Sequence, residues 1–103
     1  MIYQYVFELR AQEEYETSLE WYLDRSLQAA SDFISSIDEA LLLICEHPKR
    51  WKNQYKNYYE FGLKKFSFHI IYTIDDKNKR IIIFSVYHHK RNPKRKYNRN
   101  RKS

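Results

Sequence analysis

The sequence predicts an α+β fold of order β-α-α-β-β-β, with a two-helix hairpin packed on one face of a mostly antiparallel four-stranded sheet. Three observations carry that expectation. Apolar residues in the first half recur at helical spacing, whereas those in the second half form short runs of strand length. Between the last two runs lies "DDKN", which has the chemistry of a tight turn and marks a hairpin.

The elements follow in order. "IYQYVFEL" alternates, with Tyr3, Tyr5, Phe7 and Leu9 on one side, the pattern of a half-buried strand. From Ala11 to about Leu23, Tyr15, Leu19 and Tyr22 fall at i, i+4 and i+7 with acids between them, which makes an amphipathic helix. Ser26 is the expected N-cap of a second helix, whose stripe is Ala30, Ile34, Ile37, Leu41 and Ile44. Pro48 stops it, because proline disfavours helical geometry at His47 and donates no amide. Residues Trp51 to Asn57 read as a polar, aromatic loop. Three strands are then expected, at about Tyr58–Lys64, Phe66–Ile74 and Arg80–His88. The last, "RIIIFSVYH", is nearly continuous apolar sequence, as a strand covered on both faces requires.

Composition sets the boundaries of function. The chain has 103 residues, 43% of them hydrophobic and 17% aromatic, which suits one packed domain; we assign it to residues 1–97, with 98–103 as a basic tail. The single cysteine, Cys45, sits among Leu41, Leu42, Leu43 and Ile44, so core packing is its expected role. One cysteine excludes an internal disulfide and a cysteine-based zinc site, and fits a reducing cytoplasm. No apolar run approaches the roughly 20 residues of a membrane helix, and the N-terminus lacks a signal-peptide pattern. No histidine pair has metal spacing, and no phosphate-cradling glycine loop or G-x-S-x-G is present, so neither metal nor cofactor is expected. Charge is unevenly spread: residues 1–46 carry a net −8, 47–89 a net +6 and 90–103 a net +8. That asymmetry points to a partner that reads one face, either a polyanion or an acidic peptide.

The helical hairpin ending in "HP", followed by "FGLKKFSFHIIYTID" and "IIIFSVYHHKRNP", resembles the RelE/ParE superfamily, the toxin halves of type II toxin–antitoxin modules. The resemblance runs from about Tyr5 to Tyr97. "KKFSFHIIYTID" is similar to the family's Phe-Pro-aromatic-x-Ile-x-Tyr strand, with Ser67 in place of proline. The "H-x-x-R-x-P" ending formed by His88, Arg91 and Pro93 looks most like the ParE branch. The resemblance implies a toxin that forms a hetero-oligomer with a cognate antitoxin. In the ParE branch it implies poisoning of DNA gyrase; in the RelE branch, cleavage of mRNA in the ribosome. Where the family commonly carries arginines before its "F-x-L-K-K-F" run, this chain has Tyr59 and Glu60, and in ribonuclease members an arginine there holds the scissile phosphate.

Two sets of site residues follow. For gyrase contact the C-terminal cations Arg91, Lys94, Arg95 and Lys96, with Tyr97, are expected to bind the target. For mRNA cleavage the set is His88 for proton transfer with Lys64 and Arg91 for charge, because the 2′-hydroxyl must lose a proton while the phosphorane charge is countered. In an alternating strand His88 and His89 point to opposite faces, so one of them packs while the other meets solvent. His69 reads as a structural mid-strand residue, and His47 as a helix-end residue. Glu60, near the lysines of the sheet, is a candidate base; Glu13, Glu14, Glu16 and Glu20 read as a solvated helix surface. The basic tail allows three readings: a solubilising extension, a phosphate contact or an antitoxin contact. A third class stays open: a non-toxic, basic nucleic-acid-binding module.

Overall fold

In the computed structural model, residues 2–89 are described, and they form two helices on one face of a five-stranded mixed sheet. The elements are β1 (Gln4–Phe7), α1 (Leu9–Leu23), α2 (Leu27–Glu46), β2 (Lys52–Tyr55), β3 (Tyr58–Gly62), β4 (Phe68–Asp75) and β5 (Arg80–His88). Their spatial order is β1-β5-β4-β3-β2. β1 runs parallel to β5, and the other three pairings are antiparallel.

The extra strand, β2, corrects the expected count of four. "KNQY" carries no apolar alternation, and what makes it a strand is backbone pairing to β3, with Lys52 opposite Glu60 and Tyr55 opposite Tyr58. Lys56, at φ 52, turns the chain between them. An edge strand of this kind is defined by its amides, which a hydropathy pattern does not see.

α2 begins where expected: the Ser26 hydroxyl accepts from the Ala29 amide at 3.1 Å, while α1 starts at Glu8 without a side-chain cap. Ala30, Ile37, Leu41 and Ile44 are buried, joined by Phe33 and Ala40, while Ile34 falls at the margin. They pack against Phe68, Ile70, Tyr72, Ile81, Ile83 and Val86 of the sheet. Cys45 belongs to this core, and burial pushes its thiol pKa up. At the far end of α2 the Tyr72 hydroxyl donates to the Pro48 carbonyl at 2.6 Å, in a setting whose burial drives the phenol's pKa up. Tyr3, just before β1, and Phe7 at its end pack on the core, whereas Tyr5 stays exposed and Leu9 opens α1 facing solvent.

The β4–β5 hairpin turns on Asp75, whose carboxylate accepts from both the amide and the side chain of Asn78 (3.2 and 2.9 Å). Next to it Asp76 accepts from the Tyr3 hydroxyl at 2.5 Å and pairs with Lys49 at 3.1 Å, tying the hairpin to the segment just before β1 and to the turn that follows α2. Among the described residues no helix is long and apolar enough to cross a membrane.

Candidate functional site

The geometry of the site begins with an irregularity in β5. Tyr72 pairs with Ile83 and Ile71 with Ser85, so β5 carries one residue more than β4 at this point. Glu14 of α1 holds the bulge: one carboxylate oxygen accepts from the Ser85 hydroxyl (2.8 Å) and from the Val86 amide (2.9 Å), while Arg10 lies 3.3 Å from the other. The acid read as part of a solvated surface is therefore a clamp. The extra residue shifts the alternation. Ile81, Ile83 and Val86 all face the helices, while Phe84 and Tyr87 join Ile71 in a second buried cluster on the opposite face.

Three neighbouring strands meet on that second face. His69 of β4 is paired with Gly62 of β3 on one side and Tyr87 of β5 on the other. Glu60, 8% exposed, lies two residues before Gly62 and therefore on the same face. Its Oε2 receives both the Tyr87 hydroxyl, at 2.9 Å, and a short contact from His69 Nδ1. A carboxylate only accepts, so His69 Nδ1 is the donor in this contact. Gly62 makes the arrangement possible, because a Cβ there would lie 3.2 Å from His69 Nε2. The His89 ring stands 4.8 Å from that of His69, held in place by its amide, which donates to the Ser67 carbonyl at 3.0 Å.

The residues nominated from sequence are distributed differently. His88 turns to the helix side, 4.9 Å ring to ring from Phe68, in a hollow it shares with Arg10, Glu13 and Glu14. Lys64 and Lys65 line a separate hollow with Asp32, Ser35 and Glu39 of α2. His88 and Lys64 are thus not brought together. Arg91, Lys94, Arg95, Lys96 and Tyr97, and the tail 98–103, lie outside the described residues. Glu60 has His69 and Tyr87 as partners rather than the lysines. The contact of His69 with Glu60 was not read from the sequence; the available signal was their strand parity with Gly62, which becomes legible only once the register is known. Among the described residues no three histidine, cysteine or acidic side chains form a metal-binding group.

Comparison with known proteins gives a consistent picture. Residues 5–93 match the family model of the ParE toxin of the type II toxin–antitoxin system parDE. In structure, the chain resembles the chromosomal ParDE toxin–antitoxin system of P. aeruginosa, with a TM-score of 0.72 and 11% identity over 84% of this chain and 96% of that one. It resembles an arginine-to-alanine double mutant of the free E. coli toxin RelE with a TM-score of 0.67 and 16% identity, over 95% and 93% of the two chains. The toxin–antitoxin complex RelBE2 of Mycobacterium tuberculosis gives a TM-score of 0.60 at 15% identity, over 85% of this chain and 99% of that one. At these identities the likeness is one of fold. No curated protein matches the chain at a significant level.

Proposed function

The chain belongs to the ParE toxin family of type II toxin–antitoxin systems, and from that membership we propose that it inhibits DNA gyrase, trapping the enzyme on cleaved DNA, until a cognate antitoxin neutralises it. The observation that carries this reading is the span of the family match. It runs from β1 through both helices and the sheet to residue 93, and so takes in His88, Arg91 and Pro93 of the "H-x-x-R-x-P" ending. Arg91, Lys94, Arg95, Lys96 and Tyr97 are the proposed contacts with the target. An antitoxin partner is supported by the two toxin–antitoxin assemblies among the structural relatives. It is supported as well by apolar side chains left in solvent on the helices, with Leu9 75%, Leu27 76% and Leu42 55% exposed.

Ribosome-dependent mRNA cleavage by a centre made of His88, Lys64 and Arg91 is the poorer reading, since His88 and Lys64 line different hollows. A bare nucleic-acid-binding module is disfavoured by the family match.

The test is gyrase supercoiling of relaxed plasmid with purified protein. The expected result is loss of supercoiling with accumulation of linear, protein-linked DNA, and recovery when the chain is truncated after His89. Unaltered supercoiling at molar excess of a folded protein would overturn the reading.

A further inference from the structure

We propose that Glu60, His69 and Tyr87 form an anchor that holds His89, the residue after β5, and so fixes the point from which the basic C-terminal segment starts towards its target. The three are positioning residues, acting through His89 on the contacts made beyond it. The part given to that segment rests on the gyrase reading, which the anchor deepens.

The end of β5 is gripped from both faces of the sheet between Ser85 and His89. On the helix side the Glu14 carboxylate holds the Ser85 hydroxyl and the Val86 amide, and His88 packs edge-on to Phe68 at 4.9 Å. On the other side the Tyr87 hydroxyl donates to Glu60 at 2.9 Å, and the His69 ring meets edge-on both the Tyr87 ring, at 5.5 Å, and the His89 ring, at 4.8 Å. The His89 amide is committed to the Ser67 carbonyl at 3.0 Å, which carries the pairing of β4 and β5 one residue past the end of β5. The paired histidines of "YHH" are thus seated on opposite faces, directly before residues 90–103 with their eight bases and no acid.

Holding a strand end does not by itself call for a buried acid. The rest of this face is Ile71, Phe84, Tyr58 and the Tyr87 ring, and a further apolar side chain would fill the place of Glu60 without the cost of desolvating a carboxylate. What the polar group adds is direction, since hydrogen bonds fix angles that apolar contacts leave free. Glu60 Oε2 accepts from β4 through His69 and from β5 through Tyr87, so one atom of β3 sets both neighbours. Gly62 lets the imidazole lie close against β3, where a Cβ would stand 3.2 Å from it. A histidine needed only to neutralise Glu60 has no reason to bear on His89 as well. A binding segment that starts from a fixed point gives up less conformational freedom when it engages. Arg91, the first of the proposed target contacts, follows two residues after His89.

The test combines amide exchange at His89 by NMR, urea unfolding, and gyrase supercoiling as a function of protein concentration, all on the full-length chain. His69→Gln is the informative variant, because its amide still donates to Glu60 while the ring against His89 is gone. It is expected to speed exchange at His89 about tenfold. It is also expected to raise the concentration for half-inhibition about tenfold, with the same complete inhibition at saturation. Tyr87→Phe, which deletes only a hydroxyl, moves both readouts in the same direction and serves if His69→Gln does not fold. Glu60→Gln keeps an acceptor for both partners and is expected to stay within about threefold of the parent. Ser26→Ala weakens the fold at the start of α2, far from the anchor in sequence, and leaves both readouts unchanged; a role in stability alone would make inhibition follow the urea midpoint in every variant. A folded His69→Gln chain with unchanged exchange at His89, or one that inhibits as the parent does, overturns the anchor and leaves the gyrase reading standing. A folded parent that does not inhibit gyrase overturns that reading and the positioning role with it, so the parent alone tells the two failures apart.

Discussion

At the scale of single residues, the side chains that matter most are polar groups given specific partners inside the sheet. Glu14 is the clearest. Replacing it with alanine removes the acceptor of two hydrogen bonds and leaves the Val86 amide and the Ser85 hydroxyl without it. The expected cost is about 1–3 kcal/mol, read as a lower urea midpoint with an unchanged slope. Tyr72→Phe is a milder test of the same kind, because it deletes the 2.6 Å bond to the Pro48 carbonyl and is expected to cost about 1 kcal/mol in the same titration. Neither role was legible from sequence. Glu14 sits in a run of acids that reads as helix surface, and its partners lie 71 and 72 residues away. By contrast the burial of Cys45 was legible, since five consecutive apolar residues at the end of a helix leave a small thiol little choice.

At the scale of elements, what the sequence announces is periodicity and punctuation. α2 and the β4–β5 hairpin were found because the 3.6-residue stripe, Ser26, Pro48 and "DDKN" are local signals. β2 was not found because its pairing with β3 is a property of the backbone, and the bulge in β5 was hidden because adding one residue changes no composition. That single hidden residue decides which face Tyr87, His88 and His89 occupy, so the grouping at the candidate site could not be read in advance. Ser26→Ala should cost α2 about 1 kcal/mol, lowering the melting temperature by several degrees in a domain of this size. The hairpin turn carries a pH signature. Hydrogen bonding from Asn78 holds the Asp75 carboxyl below its ordinary range, and bonding from Tyr3 and Lys49 does the same for Asp76. A folded-state pKa below the unfolded one means fewer protons bound when folded. The contribution is therefore complete above about pH 4 and is lost as pH falls through the lowered values. Urea midpoints measured from pH 6 down to pH 2 should fall over that interval, and Asn78→Ala should flatten part of the decline.

At the scale of the whole molecule, the two faces of the sheet have separate duties. One is sealed by the helices and makes the core; the other holds a buried carboxylate between an imidazole and a phenol. Expression of the chain without an antitoxin is expected to arrest growth, and colony counts after induction measure it. The strand order has a further effect on how the molecule comes into being. β5 lies between β1 and β4, although it follows both in the chain, so a growing polypeptide holds β1 with nothing to pair against until residues 80–88 have been made. Those residues also bring Tyr87, and His89 follows directly. A chain with this topology cannot close its sheet until β5 has been made, so its first strand waits on its last.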